Sequence, residues 1–333
     1  SMMAVVKEYI FKMLFPLNLN IWYPAQVYKS LMEPQVLISI LVLAGYFWLI
    51  RWSYSNQRIV FFGLVWFLIA LLPVSHIIPF PQMMADRYLY IPGLGLIIVF
   101  VTLIPASNKG KSLLAFSVIL MFSLLSINRN KVYQDDLHLW QNSVATNPNN
   151  TRSVMYLGLS YWGKGDQVKA LEMLTQAQIL EPKNYRAALY SAHIHTQRQE
   201  WKKAQFIYRE LIQKNPERPI YYNDLAAFLG NRDQIKESLS LLNKALELDP
   251  DYAKAHFNRG IFLDKMGDSQ GALRAYQKAV ALEPKSDHYQ YVMGMFYLQR
   301  TDHPERGRKH LKLSLRLNPD QPSAETIRQT LNP

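Results

Sequence analysis

The sequence predicts an all-α protein: four transmembrane helices followed by an α-solenoid of stacked helix pairs. Three observations carry this reading. Four long stretches without Asp, Glu, Lys or Arg crowd the first 130 residues, prolines recur at a fixed spacing from Pro148 onward, and charge is divided unevenly between the two parts. The expected organisation is a lead-in over 1–33 containing an interfacial amphipathic helix, a membrane region over 34–130, a connecting half repeat over 131–150, and repeats with a short C-terminal cap over 151–333.

The lead-in places Val5, Val6, Tyr9, Ile10, Met13 and Leu14 at helical spacing, with Lys7, Glu8 and Lys12 off that stripe. A helix lying in the membrane interface fits this pattern; the end of a preceding membrane helix fits it as well. Pro16 and Pro24 then interrupt the chain.

The uncharged stretches are 34–50, 59–85, 88–108 and 112–128. Each approaches or exceeds the roughly 17–25 residues that cross a hydrocarbon core, and four in succession argue for an integral, multi-pass membrane protein. The connection from Arg51 to Arg58 and the one around Lys109 and Lys111 carry basic residues without acids. The positive-inside rule places both in the cytoplasm. The 75–88 connection and everything after Ile127 then lie on the opposite side, so the repeats are expected to be extracytoplasmic, in a periplasm or an endoplasmic-reticulum lumen.

Residues 1–130 hold nine of the 37 basic side chains and three of the 25 acids, so the formal charge of +12 is spread through a mixed-charge second part and topology-setting loops. No long basic run exists, which excludes nucleic acid as the expected partner. The absence of cysteine excludes disulfides, thiol catalysis and cysteine-ligated zinc. No metal site is expected: His193 and His195 are two apart on a helix and point to different faces. No bound cofactor is expected either, and Ser107–Ser112 has Pro105 where a phosphate-binding loop needs glycine.

Pro148, Pro182, Pro216, Pro250, Pro284 and Pro319 are separated by 34, 34, 34, 34 and 35 residues. This is the period of the tetratricopeptide repeat. Leu157, Gly158, Tyr161, Gly165, Ala170, Ala177 and Pro182 occupy its packing positions in the first repeat, and Gly260, Gly267, Ala272, Tyr276, Ala279 and Pro284 in the fourth. Small residues let paired helices approach, and each proline ends a second helix because it lacks a donor and restricts the residue before it. Ser191 and Ser238 weaken the second and third repeats, and the fifth carries one extra residue near His303-Pro304. Residues 135–147, with Trp140 at the aromatic position, look like a second helix lacking its first, and 322–331 like a closing helix.

The first helices of such a solenoid line its concave face. In register these are Arg152, Met155, Trp162, His193, Gln197, Asn223, Asn231, Phe257, Asp264 and Tyr291. Aromatics and amides in this mixture suit an extended peptide, so a protein or peptide partner is expected there. In the 75–93 loop, His76, Asp86, Arg87 and Tyr88 sit at a membrane edge, where ionisable groups are costly and often functional. Arg87 can fork onto a lipid phosphate and His76 can hydrogen-bond to one. An Asp86–Arg structural pair with Tyr88 and Tyr90 as interfacial anchors explains the same residues. Membrane lipid is thus the second expected partner.

The loop and the helix before it also carry a family resemblance. Phe62-Gly63-Leu64-Val65-Trp66-Phe67-Leu68-Ile69, Leu72-Pro73-Val74-Ser75, and Ala85-Asp86-Arg87-Tyr88-Leu89-Tyr90-Ile91-Pro92 with Gly93 and Gly95 resemble the last membrane helices of the transmembrane-and-tetratricopeptide-repeat O-mannosyltransferases and their bacterial relatives. Phe15-Pro16-Leu17-Asn18-Leu19 is similar to the segment upstream of them. The resemblance implies a GT-C type sugar transferase that uses a polyprenyl-phosphate sugar as donor, with the repeats holding a protein acceptor. That family's catalytic acids lie in an early outer loop of a larger bundle, and no catalytic residue is identifiable here. The expectation is therefore a C-terminal portion of such an enzyme, or a non-catalytic membrane-anchored scaffold.

Overall fold

The computed structural model describes residues 2–14, 30, 32–72, 90–103, several positions of 116–127, and 130–331, and among them every regular element is helical. The chain divides into two compact units, Ser1–Asn184 and Tyr185–Pro333.

The first unit begins with α1 (Met2–Leu14), α2 (Pro34–Asn56), α3 (Arg58–Leu71) and α4 (Tyr90–Leu103). Pro34 opens α2, where a missing N–H costs nothing. At about 1.5 Å per residue, the 23 residues of α2 reach far enough to cross a hydrocarbon core, and α2 is the one helix among the described residues that does so. The helices α3 and α4 have 14 residues each. Four spans are therefore not seen among the described residues; the rest of 59–85 and 88–108, and most of 112–128, lie outside them.

The expected loop from Arg51 to Arg58 is replaced by continuous helix. No Gly or Pro interrupts Arg51–Asn56, so α2 runs on through Arg51 until Asn56 Nδ2 bonds back to Trp52 O at 2.7 Å. Gln57 alone, at φ −148° and ψ 89°, separates α2 from α3. The two helices fold back side by side. Tyr54 meets Phe61 edge-on with ring centroids 5.2 Å apart, and deeper in the pair the Tyr46 hydroxyl donates to Leu64 O at 2.9 Å.

The described side chains of the α1 stripe pack on protein. Val6, Tyr9 and Ile10 are buried against Tyr46, Leu64, Phe67 and Leu71. Lys7, placed off the stripe by periodicity, is only 5% exposed, with its ammonium 3.1 Å from Gln35 Oε1 and 3.0 Å from Glu8 Oε1. The helices α3 and α4 touch through backbone: a Cβ added to Gly63 would lie 2.5 Å from Gly95 O, and Trp66 Nε1 donates to Ile91 O at 3.0 Å. Small residues at a helix interface let the two backbones approach in this way.

The same unit holds α5 (Asp136–Thr146), α6 (Thr151–Gly163) and α7 (Gln167–Leu180). Asp135 caps α5 by accepting from His138 N at 2.9 Å. Trp140 stacks on Tyr156 at 4.7 Å, and the Ser143 and Ser153 hydroxyls meet at 2.8 Å, so α5 covers α6 as a preceding second helix would. A Cβ added to Gly158 would lie 3.1 Å from Ala170 O and from Leu174 Cγ, tighter than ordinary contact, so its absence lets α6 and α7 pair closely.

The second unit contains α8 (Tyr185–Gln197), α9 (Trp201–Lys214), α10 (Pro219–Gly230), α11 (Ile235–Leu248), α12 (Ala253–Lys265), α13 (Ser269–Leu282), α14 (Asp287–Arg300), α15 (Pro304–Leu317) and the closing α16 (Ala324–Leu331). The first helices of all repeats, from Thr151 to Asp287, start every 34 residues. The second helices keep that step from Gln167 to Ser269, and Pro304 comes one residue late. The inserted residue therefore lies in the turn between α14 and α15.

The other turns share one backbone device. Gly165 and Gly267 take φ +86°, and at the same register Gln199 and Asp233 take φ 59° and 60°. The turn demands a left-handed residue, and two repeats meet the demand without glycine. Buried Ser191 and Ser238 are also explained, since their hydroxyls bond to Ala187 O at 3.1 Å and Gln234 O at 2.9 Å. The small positions Ala192, Ala204, Ala226 and Ala272 are all fully buried.

A candidate partner-binding face on the first helices

In the second unit the consecutive first helices α8, α10 and α12 are joined by polar side chains. Asp224 on α10 is only 5% exposed, and its carboxylate lies 3.4 Å from His193 Nε2 on α8 and 3.1 Å from Lys254 Nζ on α12. Asn223 Nδ2 also donates to Asp224 Oδ1 at 3.0 Å, and Asn258 Nδ2 donates to Asn223 Oδ1 at 2.8 Å. Burial pushes the Asp224 carboxyl up, but the hydrogen bond from His193 and the charge of Lys254 outweigh it and hold the group below its ordinary value. A charge this deep is retained when it is paired and hydrogen-bonded.

A second ion pair joins α12 to α14, with Arg300 Nε 3.1 Å from Asp264 Oδ1 but without a hydrogen bond to that oxygen. The His193 ring is 32% exposed and the Lys254 side chain 49%, so the network is satisfied inside and reaches the surface at its edges. Such an arrangement offers fixed donors and charge to a bound polypeptide.

The expected concave-face residues do not all face outward. Among them Arg152, Gln197 and Asn231 are exposed, while Trp162, His193, Asp264 and Tyr291 are half-buried. Met155, Asn223 and Phe257 are buried, which corrects their placement on a binding surface. All three occupy the fifth position of a first helix. In the second unit the following repeat closes that position: Asn258 reaches Asn223, and Tyr289 stacks on Phe257 at 4.5 Å. Asn223 serves the face from beneath, whereas Phe257 belongs to the core with Tyr276 and Phe296.

Sequence reasoning missed Asp224, Lys254 and Asn258. Their signal was pairing at separations near the repeat length: His193 to Asp224 is 31 residues, Asp224 to Lys254 is 30, and Asp264 to Arg300 is 36. In a 34-residue array such pairs are neighbours. His195 turns away from His193 to Glu200, at 2.9 Å, and the described residues hold no cluster able to bind a metal. His76, Asp86, Arg87 and Tyr88 lie outside the described residues.

Residues 161–227 and 241–274 match the tetratricopeptide repeat. The chain carries tetratricopeptide repeats. It is 22% identical over 292 residues to the human Protein O-mannosyl-transferase TMTC3, covering 81% of this chain and 32% of that protein. The mouse protein of the same name is 23% identical over 272 residues, covering 75% of this chain and 30% of that one. The chain thus spans about a third of the length of these relatives. Among solved structures, the APC/C hetero-tetramer Cut9–Hcn1 matches with a TM-score of 0.52 at 14% identity, over 92% of this chain and 50% of that one. At that identity the likeness concerns the fold alone.

Proposed function

We propose that this chain is a membrane-anchored repeat protein that holds a polypeptide on its first-helix face, as the acceptor-presenting portion of a sugar transferase of the protein O-mannosyl-transferase kind. One observation carries the reading. The similarity to human TMTC3 covers 81% of the chain, more than the repeats at 151–333 can supply, so it takes in the apolar part as well. In this proposal α2 is one of four spans at 34–50, 59–85, 88–108 and 112–128, and the repeats lie outside the cytoplasm. The donor is a polyprenyl-phosphate sugar, with Arg87, His76, Asp86 and Tyr88 against its phosphate.

The test is transfer of labelled mannose from a polyprenyl-phosphate carrier to polypeptide in membranes containing the chain. Arg87→Ala should abolish transfer with the repeats still folded; undiminished transfer sinks the phosphate role. Orientation is tested separately. The chain has no cysteine, so one placed at Gln270 should be shielded from an impermeant maleimide applied to the cytoplasmic side of a sealed membrane and react once that membrane is opened, and reaction from the cytoplasmic side refutes the extracytoplasmic assignment.

A second reading, a non-catalytic anchored scaffold, is favoured by the Asp224 network, in which every group has a structural partner. Membranes that retain a bound polypeptide but transfer no sugar distinguish it.

A further inference from the structure

The second helix of a repeat turns a set of positions outward whatever its sequence. At the sixth residue of these helices the second unit has Phe206, Ser240, Arg274 and Lys309, all exposed. The last three are ordinary solvated choices. Phe206 is 69% exposed, an aromatic that the repeat fold does not ask for. It stands beside an open hollow of about 360 Å³ lined by His195, Lys202, Lys203, Phe206 and Ile207. His195 departs from its equivalents in the same way: the corresponding residues are Leu229, Leu263 and Tyr297. The hollow therefore belongs to this one helix pair.

Its electrostatics are lopsided. Glu200 takes contacts from Lys203 at 2.8 Å, Arg198 at 2.6 Å and His195 at 2.9 Å, and the hydrogen bonds from Lys203, Arg198 and His195 hold its carboxyl down at about 2. One carboxylate thus serves both Arg198 and Lys203, and Lys202 has no acidic partner among the described residues. The local excess is positive, and Phe206 and Ile207 form an apolar floor next to it. The volume lies at the low end of the roughly 300–1,000 Å³ typical of ligand pockets, enough to receive a side chain, whereas a flat lipid surface does not enter a hollow.

We propose that this hollow on α8 and α9 is a second docking site, for a polypeptide segment that carries an acidic side chain beside an aliphatic or aromatic one. The apolar side chain lies on Phe206 and Ile207 while its carboxylate meets Lys202 and Lys203. This is independent of the first-helix face and of sugar transfer.

The test uses the full chain in nanodiscs of uncharged lipid and short fluorescent peptides: one with adjacent glutamates and a leucine, one with lysines replacing the glutamates, and one with serine replacing the leucine. The first should bind and the others at least about tenfold more weakly. Phe206→Ser and Lys202→Glu, both surface changes, should each weaken the first peptide about tenfold or more, while Arg274→Ser, at the equivalent exposed position of another repeat, leaves it unchanged. No binding up to about 1 mM, equal binding of all three peptides, or indifference to Phe206→Ser overturns the site. Binding of phosphatidylserine vesicles that is lost in both variants, without peptide preference, overturns it in favour of a membrane contact.

Discussion

His193 on one repeat's first helix lies 3.4 Å from the buried carboxylate of Asp224 on the next repeat's first helix, so a surface histidine and an interior acid fasten neighbouring repeats together. Asp224→Ala removes the acceptor that His193, Lys254 and Asn223 share. Because Lys254 and His193 keep access to water, the expected cost is about 2 kcal/mol rather than the larger penalty of a fully buried pair. His193→Ala should cost less, since Lys254 still pairs the carboxylate. Chemical denaturation of both variants and of the double variant checks this; additive effects would mean that the two residues are not coupled. The carboxyl is held below its ordinary value of 3.8. Its contribution is therefore present above the unfolded value and lost as pH falls through the lower folded one.

The left-handed turns make a prediction of opposite sign. Gln199 and Asp233 occupy a conformation that costs a residue with a Cβ about 1 kcal/mol or more. Gln199→Gly and Asp233→Gly should each raise the stability of the second unit, less the entropy that glycine adds to the unfolded chain, for a net gain of about 0.5 kcal/mol. Gly267→Ala should lower it by about 1 kcal/mol. Midpoints of thermal unfolding distinguish the three; a lower midpoint for Asp233→Gly would contradict the strain argument.

His310 on α15 stacks on Tyr297 with centroids 5.6 Å apart, and its Nδ1 lies 2.6 Å from Gln290 Oε1. Burial, aided by the charge of Lys309, lowers its pKa below 6.5, so the folded unit prefers the neutral ring. Stability is full above the unfolded value and falls as pH drops toward and through the folded value, because the unfolded chain binds the proton first. His310→Gln should flatten the stability profile between about pH 7 and 5. An unchanged slope would show that the loss belongs to other groups.

Where α3 meets α4, a side chain on Gly95 has no room: a Cβ there would collide with Gly63 O and press on Phe67 N. Gly95→Val should separate the two helices at a cost of about 1–3 kcal/mol. Gly45→Val, where the site is open, should be nearly neutral. Thermal aggregation in detergent compares them directly.

The solenoid was legible because its signals are local and repeated. Proline spacing, Gly158, Gly260 and the small residues of the second helices fix the helix pairs, and the turn insertion before Pro304 falls where counting places it. The candidate face was less legible. A one-dimensional register assigns positions to a concave side without knowing that the next repeat covers them, which is why Met155 and Phe257 were misplaced. Asp224 escaped because a buried acid is read as interior only once its partners about thirty residues away on either side are seen. Lys7 escaped for a similar reason: helical periodicity reports which side of α1 is apolar, not that α2 brings Gln35 to its ammonium.

The single residue Gln57 between α2 and α3 makes the two helices one mechanical body. With no slack in the connection and a bond from Tyr46 to Leu64, a displacement of either helix is carried to the other. Arg51 and Arg58 flank that connection, so the closed end of the hairpin is also its basic end. The tie that makes the pair compact thus gives it a charged end and an apolar one.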